Sequence, residues 1–549
     1  MVSLRESCDL PMVFRCHILQ IDARTDTINM LLIGQDLLTL QDVFDASILQ
    51  KTVKLPSDSG FRAKLQASVD LVEQVFENNE IAYGINTNFG GLAKGTVSLE
   101  QASKLQENLL WGLHSGLGGE LEQKYVRAAM LIRANTLSKG FSSIRLEVLE
   151  RLLLFLNHQI TPQVRELGSL GASGDLVPLS YIAAAIIGLD SCVQVNFKNK
   201  KQDCITALKK LGLKPIQLRP KEALALVNGT SVLSGIAALV TQEFKSLLEL
   251  TLWVNALLCQ ALNASSEPFE ERLHQLKPHP GQIKAAKIMR LLLGDRHLIK
   301  NPTDLHKDQY SIRCIPQYFG PLIDSVEIII KQIETEINSA DDNPLADVEN
   351  KRFLHGGNFY GQYVALAMDQ LRQSIALCAK QLDVQISLLC TPEFSRGLPP
   401  SLSVGNQEIL FGLKGLQIAA NSIIPRLLHL ANPIVQLFPT HAEQFNQNIN
   451  SQGFNSAMLA HDSINLFRTY LSAAIIFAIQ SVELRSNCLS PQTQKLYLTA
   501  YRVFKKTPDT NYPLIYTGNH VAIDSLVDLI HADLKNPDSQ IRTTILETA

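Results

Sequence analysis

The 549-residue sequence predicts a mainly α-helical protein. Three long stretches lack nearly all helix-breaking residues: Thr230–Glu267 has one glycine and no proline, and Gln362–Thr391 and Phe454–Ser490 have neither. Residues 470–479 are apolar on every side, which predicts a helix that is buried all round. A helix over the whole of Phe454–Ser490 would be up to ~55 Å long. Such lengths favour a central helix bundle that is shared between subunits.

Shorter elements follow from local signals. The stretches Ile28–Ile33 and Cys192–Phe197 resemble strands, but no regular strand–helix alternation is present. Ser98 and Gln101 form a capping box, which predicts that a helix begins there. We divide the chain into an N-terminal region (1–215) that carries the Gly-rich loops, a long-helix bundle (216–490) and a helical tail (491–549).

Composition excludes several classes of function. Lys and Arg number 50 against 52 Asp and Glu, a net charge of −2 that argues against nucleic acid or an anionic membrane as partner. No apolar run reaches the ~18 residues of a membrane span. The nine cysteines are scattered without a CxxC pair, and the histidines lack metal-ligand spacing. We therefore expect a soluble cytoplasmic protein without a metal or a disulfide framework.

The segment GSLGASGDLVPLS (168–180) has three glycines and three serines before an apolar run. It contains no lysine and is therefore not a phosphate-binding P-loop. Asp175 stands where a nucleophile elbow needs its last glycine. One interpretation is a Gly-rich helix entry that is capped by Ser173 or Asp175.

A second interpretation uses the backbone of the Ala172, Ser173 and Gly174 trio. A glycine amide nitrogen can attack the carbonyl carbon two residues earlier, since glycine permits the unusual φ and ψ that the attack needs. Dehydration of the serine then yields 4-methylideneimidazol-5-one (MIO), a strong electrophile that needs no external cofactor. Because all three residues are common, the trio alone is a weak signal.

Further motifs decide between these interpretations. They are AYGINTNFGG (82–91), NGTS (228–231), QYSIRCIPQYFGP (309–321), INSADDNP (337–344), HGGNF (355–359), GLKGLQ (412–417) and PTHAEQFNQNINSQG (439–453). In this order, and together with the Ala-Ser-Gly trio, they resemble the aromatic amino acid ammonia-lyase family, over nearly the whole chain. The resemblance is strongest to cyanobacterial and bacterial phenylalanine ammonia-lyases. It implies a mainly α homotetramer with active sites shared between subunits, and an MIO group formed from Ala172, Ser173 and Gly174.

The resemblance also implies catalytic roles. Tyr83 matches the tyrosine that takes the β-proton of the substrate. Because a tyrosine pKa is ordinarily ~10, we expect positive potential, such as that of helix N-termini, to favour its phenolate. Arg313 matches the residue that binds the substrate carboxylate through a bidentate guanidinium. Glu443 matches a carboxylate near the amine. Asp175 is predicted either to assist ring closure or to cap the helix that follows it.

Other residues are implied to lie around the electrophile and the substrate: Asn228 and Tyr310 beside the electrophile, Gln309, Asn343 and Phe359 in the pocket, Leu224 against the aromatic ring, and Lys414 as a more distant charge. Each of them could alternatively have a purely structural role.

Two positions bear on the substrate. Gln447 stands where histidine ammonia-lyases resemble one another in having glutamate, so a neutral glutamine favours an uncharged ring. Leu113 agrees with phenylalanine and tyrosine lyases, which carry Phe-Leu and His-Leu where this chain has Gly112-Leu113. Gly112 fits neither pattern, and we interpret it as a missing side chain in the ring pocket. We predict deamination of L-phenylalanine, with L-tyrosine next, to cinnamate or coumarate. An aromatic 2,3-aminomutase and a histidine ammonia-lyase are the alternatives.

Overall fold

A computed structural model describes residues 30–294, 308–403, 411–437, 441–485 and 489–504. Three helices exceed 28 residues: Ser231–Ala261, Gln362–Cys390 and Gly453–Arg485. They coincide with the three stretches without helix breakers, and the mainly α prediction is confirmed. The predicted helical tail is described only as far as Phe504, so residues 505–549 of that prediction lie outside the described part.

The helices of the N-terminal half are α1 (Leu40–Ser47), α2 (Ser59–Glu77), α3 (Leu99–Leu113), α4 (Gln123–Ser138), α5 (Leu146–Asn157), α6 (Leu176–Ile187), α7 (Cys204–Lys210), α8 (Glu222–Val227) and α9 (Ser231–Ala261). Those of the C-terminal half are α10 (Glu271–Gln275), α11 (Pro280–Leu293), α12 (Tyr310–Arg313), α13 (Ile315–Ile337), α14 (Gln362–Cys390), α15 (Lys414–Asn421), α16 (Ile424–Leu430), α17 (Gly453–Arg485) and α18 (Pro491–Phe504). Single 3₁₀ turns lie at Gly90–Leu92, Glu267–Phe269 and Pro400–Leu402.

Nine short strands form four small sheets among the described residues: β1 (Met30–Leu32), β2 (Thr52–Lys54), β3 (Leu117–Glu120), β4 (Ile160–Pro162), β5 (Arg165–Leu167), β6 (Gln194–Phe197), β7 (Lys200–Asp203), β8 (Leu345–Asp347) and β9 (Arg352–Leu354). Only the β1–β2 pair is parallel; β3–β5, β4–β6–β7 and β8–β9 are antiparallel. β1 and β6 lie within the two stretches predicted to be strands, whereas the strands that pair with them, β2, β4 and β7, were not predicted.

The core lies between α9, α14 and α17, which pack against one another. Of the 31 residues of α9, 27 are buried, so this helix has no solvent-facing side. Every residue from Tyr470 to Val482 in α17 is also buried, which confirms the interpretation of its apolar segment. α4 packs on α9 from the N-terminal side, and α13 packs on α14. None of the described helices combines the length and the apolarity that a membrane crossing requires.

The fold brings the Gly-rich segment between β5 and α6 against the N-terminus of α9. Gly174 pairs with Gly229 in a parallel bridge, and the Asp175 N–H donates to the Gly229 carbonyl at 2.7 Å. On its other side, the backbone N–H of Ser451, just before α17, donates to the Gly171 carbonyl at 3.1 Å. Gly174 has a φ of 64°, and a Cβ there would collide with the Gly229 carbonyl, so no other residue fits without backbone movement.

Candidate active site

In the Ala172–Ser173–Gly174 segment, Ala172 and Gly174 are buried and Ser173 is half-buried. Ala172 is 8% exposed, and its neighbour Ser173 donates from its hydroxyl to the side-chain oxygen of Asn228 at 2.9 Å. Among the described residues, neither the Gly174 N–H nor the Ala172 carbonyl has a hydrogen-bond partner. The two backbone groups that the predicted ring closure would join therefore have no competing hydrogen bond, while the residues on either side are held in place.

Asn228 connects this segment to buried charges. Its side-chain nitrogen donates to Asp342 at 3.2 Å and to the Asn343 carbonyl at 3.0 Å. Asp342 in turn accepts from the Lys221 ammonium at 2.6 Å, and both of these charged side chains are fully buried. The Asn228 carbonyl accepts from Arg133 at 2.9 Å, so both its backbone and its side chain are restrained.

Asp175 does not cap the helix that follows it, so this part of the prediction is wrong. It has the N-cap position of α6 but makes no side-chain hydrogen bond to that helix. Instead, its carboxylate accepts from the backbone N–H groups of Val232 and Leu233 at 3.0 and 2.7 Å, in the first turn of α9. Burial raises the pKa of Asp175 to about 7 even though these hydrogen bonds act to lower it. The carboxyl therefore ties the Gly-rich loop to α9.

Tyr83 lies in the loop between α2 and α3, with its phenolic oxygen accepting from the Gly90 N–H at 2.8 Å. The described residues of a single chain do not supply the positive potential that was expected to favour its phenolate. Burial raises the pKa of Tyr83, and the charge of Glu443 raises it further, against which only the Gly90 hydrogen bond acts. The residues described here therefore disfavour the Tyr83 phenolate.

A cavity of about 580 Å³ opens between these elements. Its lining combines apolar side chains, with Leu109 and Leu113 on the α3 side, and polar ones. The residues around it are Tyr83, Phe89, Gly90, Leu109, Leu113, Ala172, Ser173, Leu176, Leu224, Asn228, Asn343, His355, Gly356, Phe359, Tyr360, Glu443, Asn446, Gln447, Asn448 and Ile449. An apolar wall facing a few convergent polar groups is the usual form of a small-molecule site.

The cavity brings together most of the residues predicted for the site: Tyr83, Leu113, Ala172, Ser173, Leu224, Asn228, Asn343, Phe359, Glu443 and Gln447. Gly174, the next residue after Ser173, is buried and does not line the cavity. These residues come from positions up to 364 apart in the sequence, since Tyr83 and Gln447 are both at the cavity wall.

Gly112 does not line the cavity, so the interpretation of a missing side chain in the ring pocket is wrong within this chain. A Cβ at Gly112 would have no heavy atom within 4 Å. Successive residues of a helix differ by about 100°, and α3 turns Leu109 and Leu113 toward the cavity and Gly112 toward the outside. The ring pocket is thus closed on this side by leucines.

Four other predicted residues are also absent from the cavity wall: Gln309, Tyr310, Arg313 and Lys414. Gln309 and Lys414 are exposed, and Tyr310 is 72% exposed. The Arg313 guanidinium stacks over the Tyr310 ring, with 4.5 Å from its carbon to the ring centroid. Gln309, Tyr310 and Arg313 lie at α12 and Lys414 begins α15, so these residues do not meet the other predicted site residues within one chain.

Sequence reasoning missed several cavity residues and the charges behind them. His355 is the first residue of the HGGNF motif, which could have indicated it, and Tyr360 directly follows that motif. Lys221 had no such signal, because a buried lysine looks like a surface lysine in a sequence. Its left-handed backbone, with a φ of 78°, costs about 1–3 kcal/mol for a residue with a side chain, and such costs concentrate at functional sites.

Comparison with known proteins agrees with this geometry. The family model described as aromatic amino acid lyase matches residues 38–502. The chain is 46% identical over 536 residues to a phenylalanine ammonia-lyase from Nostoc punctiforme, covering 94% of each. It is 40% identical over 518 residues to an aromatic ammonia-lyase from Loktanella atrilutea, covering 90% of this chain and 94% of the relative.

Among solved structures, the tyrosine aminomutase of Streptomyces globisporus superposes with a TM-score of 0.84 at 30% identity, covering 93% of this chain and all of the other. The sequence motifs, the helical fold and the cavity at the Ala-Ser-Gly segment thus agree with the family match. The chain belongs to the aromatic amino acid lyase family, and it is an enzyme of the carbon–nitrogen lyase class.

Proposed function

We propose that this enzyme removes ammonia from L-phenylalanine, and less readily from L-tyrosine, to give trans-cinnamate or coumarate. The observation that carries the proposal is the single cavity in which Tyr83, Ser173, Asn228 and Glu443 face an apolar wall. The similarity to the phenylalanine ammonia-lyase of Nostoc punctiforme supports this choice of substrate.

The electrophile of this proposal is an MIO group made from Ala172, Ser173 and Gly174. The residues present fit it: Gly174 has the left-handed φ and the crowded Cβ position that exclude other residues, and the two groups to be joined have no other partner. When formed, the group would supply an electrophilic methylidene carbon, whose chemistry would make the substrate amine a better leaving group. No external cofactor or metal enters the proposal.

The side chains of the cavity have separate tasks. Tyr83 takes the proton from the β-carbon as the C–N bond breaks and the C=C bond forms, and its oxygen is held by the Gly90 N–H at 2.8 Å. Glu443 is the carboxylate that faces the amino group and accepts its proton. Phe89, adjacent to Gly90 in the same loop, also lines the cavity and excludes water from the proton transfer.

The carboxylate of the substrate is bound by Arg313 of another copy of this chain. These four residues lie outside the cavity of their own chain: Gln309, Tyr310, Arg313 and Lys414. Arg313 is half-buried and the other three are exposed, which supports a homotetramer in which each site is completed by a neighbour. An exposed apolar row on α14, formed by Tyr363, Leu366, Leu377 and Val384, supports the same assembly. The proposed location is the cytoplasm.

The shape of the ring pocket supports phenylalanine. Leu109, Leu113 and Leu224 form its apolar side, and Gln447 adds a neutral amide. An unpaired imidazolium would find no carboxylate at Gln447, which disfavours histidine. Tyrosine needs a partner for its hydroxyl, and the three leucines offer none.

A substrate panel tests this proposal. The purified enzyme is incubated with phenylalanine, tyrosine, dihydroxyphenylalanine and histidine, and the arylacrylate products are followed by ultraviolet absorbance. Phenylalanine is expected to have the highest kcat/KM. Fastest turnover of histidine would contradict the interpretation of Gln447, and no turnover of any of the four would contradict the proposed function.

An aromatic 2,3-aminomutase is the second candidate, favoured by the close superposition on a tyrosine aminomutase. Such an enzyme returns ammonia to the β-carbon, so phenylalanine would become β-phenylalanine, which lacks the cinnamate absorbance. Chromatography of the products separates the two candidates. Accumulation of cinnamate with an equal amount of ammonia supports the lyase, and β-phenylalanine as the main product supports the mutase.

A further inference from the structure

The side-chain amide of Asn228 has one defined orientation. Its nitrogen makes two hydrogen bonds, to an oxygen of Asp342 at 3.2 Å and to the Asn343 carbonyl at 3.0 Å. Both of these partners accept only, so the amide cannot turn over without losing both bonds. The amide oxygen is therefore the atom that faces Ser173 and accepts from its hydroxyl at 2.9 Å.

Asp342 connects the two ends of α8. Lys221 is the residue before the first turn of this six-residue helix, and Asn228 is the residue after its last turn. One oxygen of Asp342 accepts from the Lys221 ammonium at 2.6 Å, and the other accepts from Asn228 and from the Asn343 N–H at 2.6 Å. The Asp342 carboxylate thus holds Lys221 and Asn228 in fixed relative positions through its hydrogen bonds.

The Lys221–Asp342 pair has no contact with solvent, since both side chains are 0% exposed. Burial lowers the pKa of Lys221, and the charge of Asp342 opposes this. Each ion compensates the other, because a single buried charge without a partner is strongly unfavourable. Neither residue lines the cavity, so direct contact with a substrate does not account for the pair.

We propose that Lys221 and Asp342 are positioning residues for maturation of the enzyme: they hold the Asn228 amide so that its oxygen orients the Ser173 hydroxyl while the ring forms. This inference rests on the proposed function, since it presupposes that Ala172, Ser173 and Gly174 become an MIO group.

The chemistry explains why orientation of the hydroxyl matters. The Gly174 N–H adds across the Ala172 carbonyl, and the resulting hydroxyl leaves with the Ser173 amide proton as one water, which creates a C=N bond. The Ser173 hydroxyl then leaves with the proton on its Cα as a second water, which creates the C=C bond. The second step requires the Cβ–O bond to be aligned for elimination, and the hydrogen bond to Asn228 fixes this rotamer.

The test is the mass of the folded protein, which does not depend on turnover. The double variant Asp342→Asn with Lys221→Met removes both charges at nearly constant volume. The control is Asp369→Asn with Arg372→Met, a second buried ion pair whose hydrogen bonds go to α16, α17 and the chain after α16. The folded fraction of each full-length protein is isolated by gel filtration and weighed by intact mass spectrometry.

The wild type and the control are expected to be lighter than the encoded chain by two waters, ~36 Da. In the Lys221 and Asp342 double variant, the fraction of folded molecules with this deficit falls about tenfold or more. The single variant Asp342→Asn is measured in the same way, so that a low yield of the double variant does not remove the test.

A full two-water deficit in the folded fraction of both variants overturns the inference while leaving the proposed function intact. A wild type of full encoded mass contradicts the MIO group itself and therefore both proposals. The wild-type mass thus separates the two failures.

Discussion

The phenolic oxygen of Tyr83 lies 2.8 Å from the backbone nitrogen of Gly90 and accepts its hydrogen bond. Of the three influences on the Tyr83 pKa, this bond is the one that lowers it, whereas burial and Glu443 raise it. A phenol with a raised pKa is ionised to the phenolate in only a small fraction of molecules at neutral pH. The rate of a reaction that uses this phenolate as its base must therefore rise with pH.

The Glu443→Gln variant should move this pH dependence. Removal of the negative charge lowers the Tyr83 pKa, so the rising limb of kcat/KM against pH shifts to lower pH. The maximal rate falls about 100-fold or more, because the same carboxylate accepts the amine proton. Initial rates of cinnamate formation from neutral to alkaline pH check this. Titration of the substrate amine is common to both enzymes and cancels in the comparison. A limb that does not move would show that Glu443 is not electrostatically coupled to Tyr83.

Gly90→Ala should disable the site without a comparable loss of folding. Gly90 has a φ of 52°, and a Cβ there would collide with the Glu443 carboxylate. The substitution displaces both Glu443 and the N–H that holds Tyr83, and we expect kcat/KM for phenylalanine to fall about 100-fold. Gly95→Ala is the matched control, since Gly95 has a φ of 81° in the same loop but no heavy atom within 4 Å of its Cβ position. Equal losses in the two variants would assign the effect to backbone strain alone.

Gly112→Ala should leave the substrate preference unchanged. The helix α3 carries this glycine on the side away from the cavity, and an alanine there stabilises the helix by up to ~1 kcal/mol. Leu113→Ala, one residue later, enlarges the ring pocket and should raise the kcat/KM of tyrosine relative to phenylalanine about tenfold. Competition between the two amino acids measures both ratios. If Gly112→Ala changed the ratio as much as Leu113→Ala, Gly112 would lie in the ring pocket of the assembled enzyme.

Gln447→Glu should lower kcat/KM for phenylalanine by about 10- to 100-fold, because a carboxylate at the apolar cavity wall must be desolvated beside an uncharged ring. Turnover of histidine should fall much less, since its imidazolium can pair with the new charge. Gln444→Glu places the same charge in the same loop, but on a residue outside the cavity wall. The substrate panel with both variants checks the prediction, and a parallel loss in the two would indicate a general charge effect.

Asp175→Asn should change the dependence of stability on pH. The unfolded chain releases this proton near pH 4, whereas burial raises the pKa in the folded state to about 7. Folding therefore retains a proton in this window, and the free energy of unfolding falls as the pH rises through it, by on the order of 4 kcal/mol. The variant lacks this dependence and gains relative stability at the upper end of the window.

Thermal unfolding of wild type and variant at several pH values measures this difference. The exposed Asp58→Asn substitution at the start of α2 is the control, since its carboxyl caps a helix at the surface. Parallel curves for wild type and Asp175→Asn would contradict a titrating buried carboxyl at this position.

Much of the fold was predictable from local signals. The absence of glycine and proline over Gln362–Thr391 predicts a helix, and the structure has one at Gln362–Cys390. The capping box of Ser98 and Gln101 begins α3 as predicted. Such signals act within one or two helical turns, so they are readable without knowledge of the rest of the chain. The short hairpins were missed because strands of three or four residues are too short for an alternation of apolar and polar side chains to be recognised.

The candidate site was likewise predictable only in part. By itself, the sequence indicated the family through its ordered motifs and singled out Ala172, Ser173 and Gly174 as the proposed precursor of the electrophile, since the three must be contiguous for a ring to close. Only the tertiary structure decided that Asp175 caps α9 rather than α6, that Leu113 and not Gly112 lines the cavity, and that Lys221 and Asp342 stand behind Asn228. Helix phase and burial depend on packing between distant segments. A residue's type and its neighbours in the chain do not specify them.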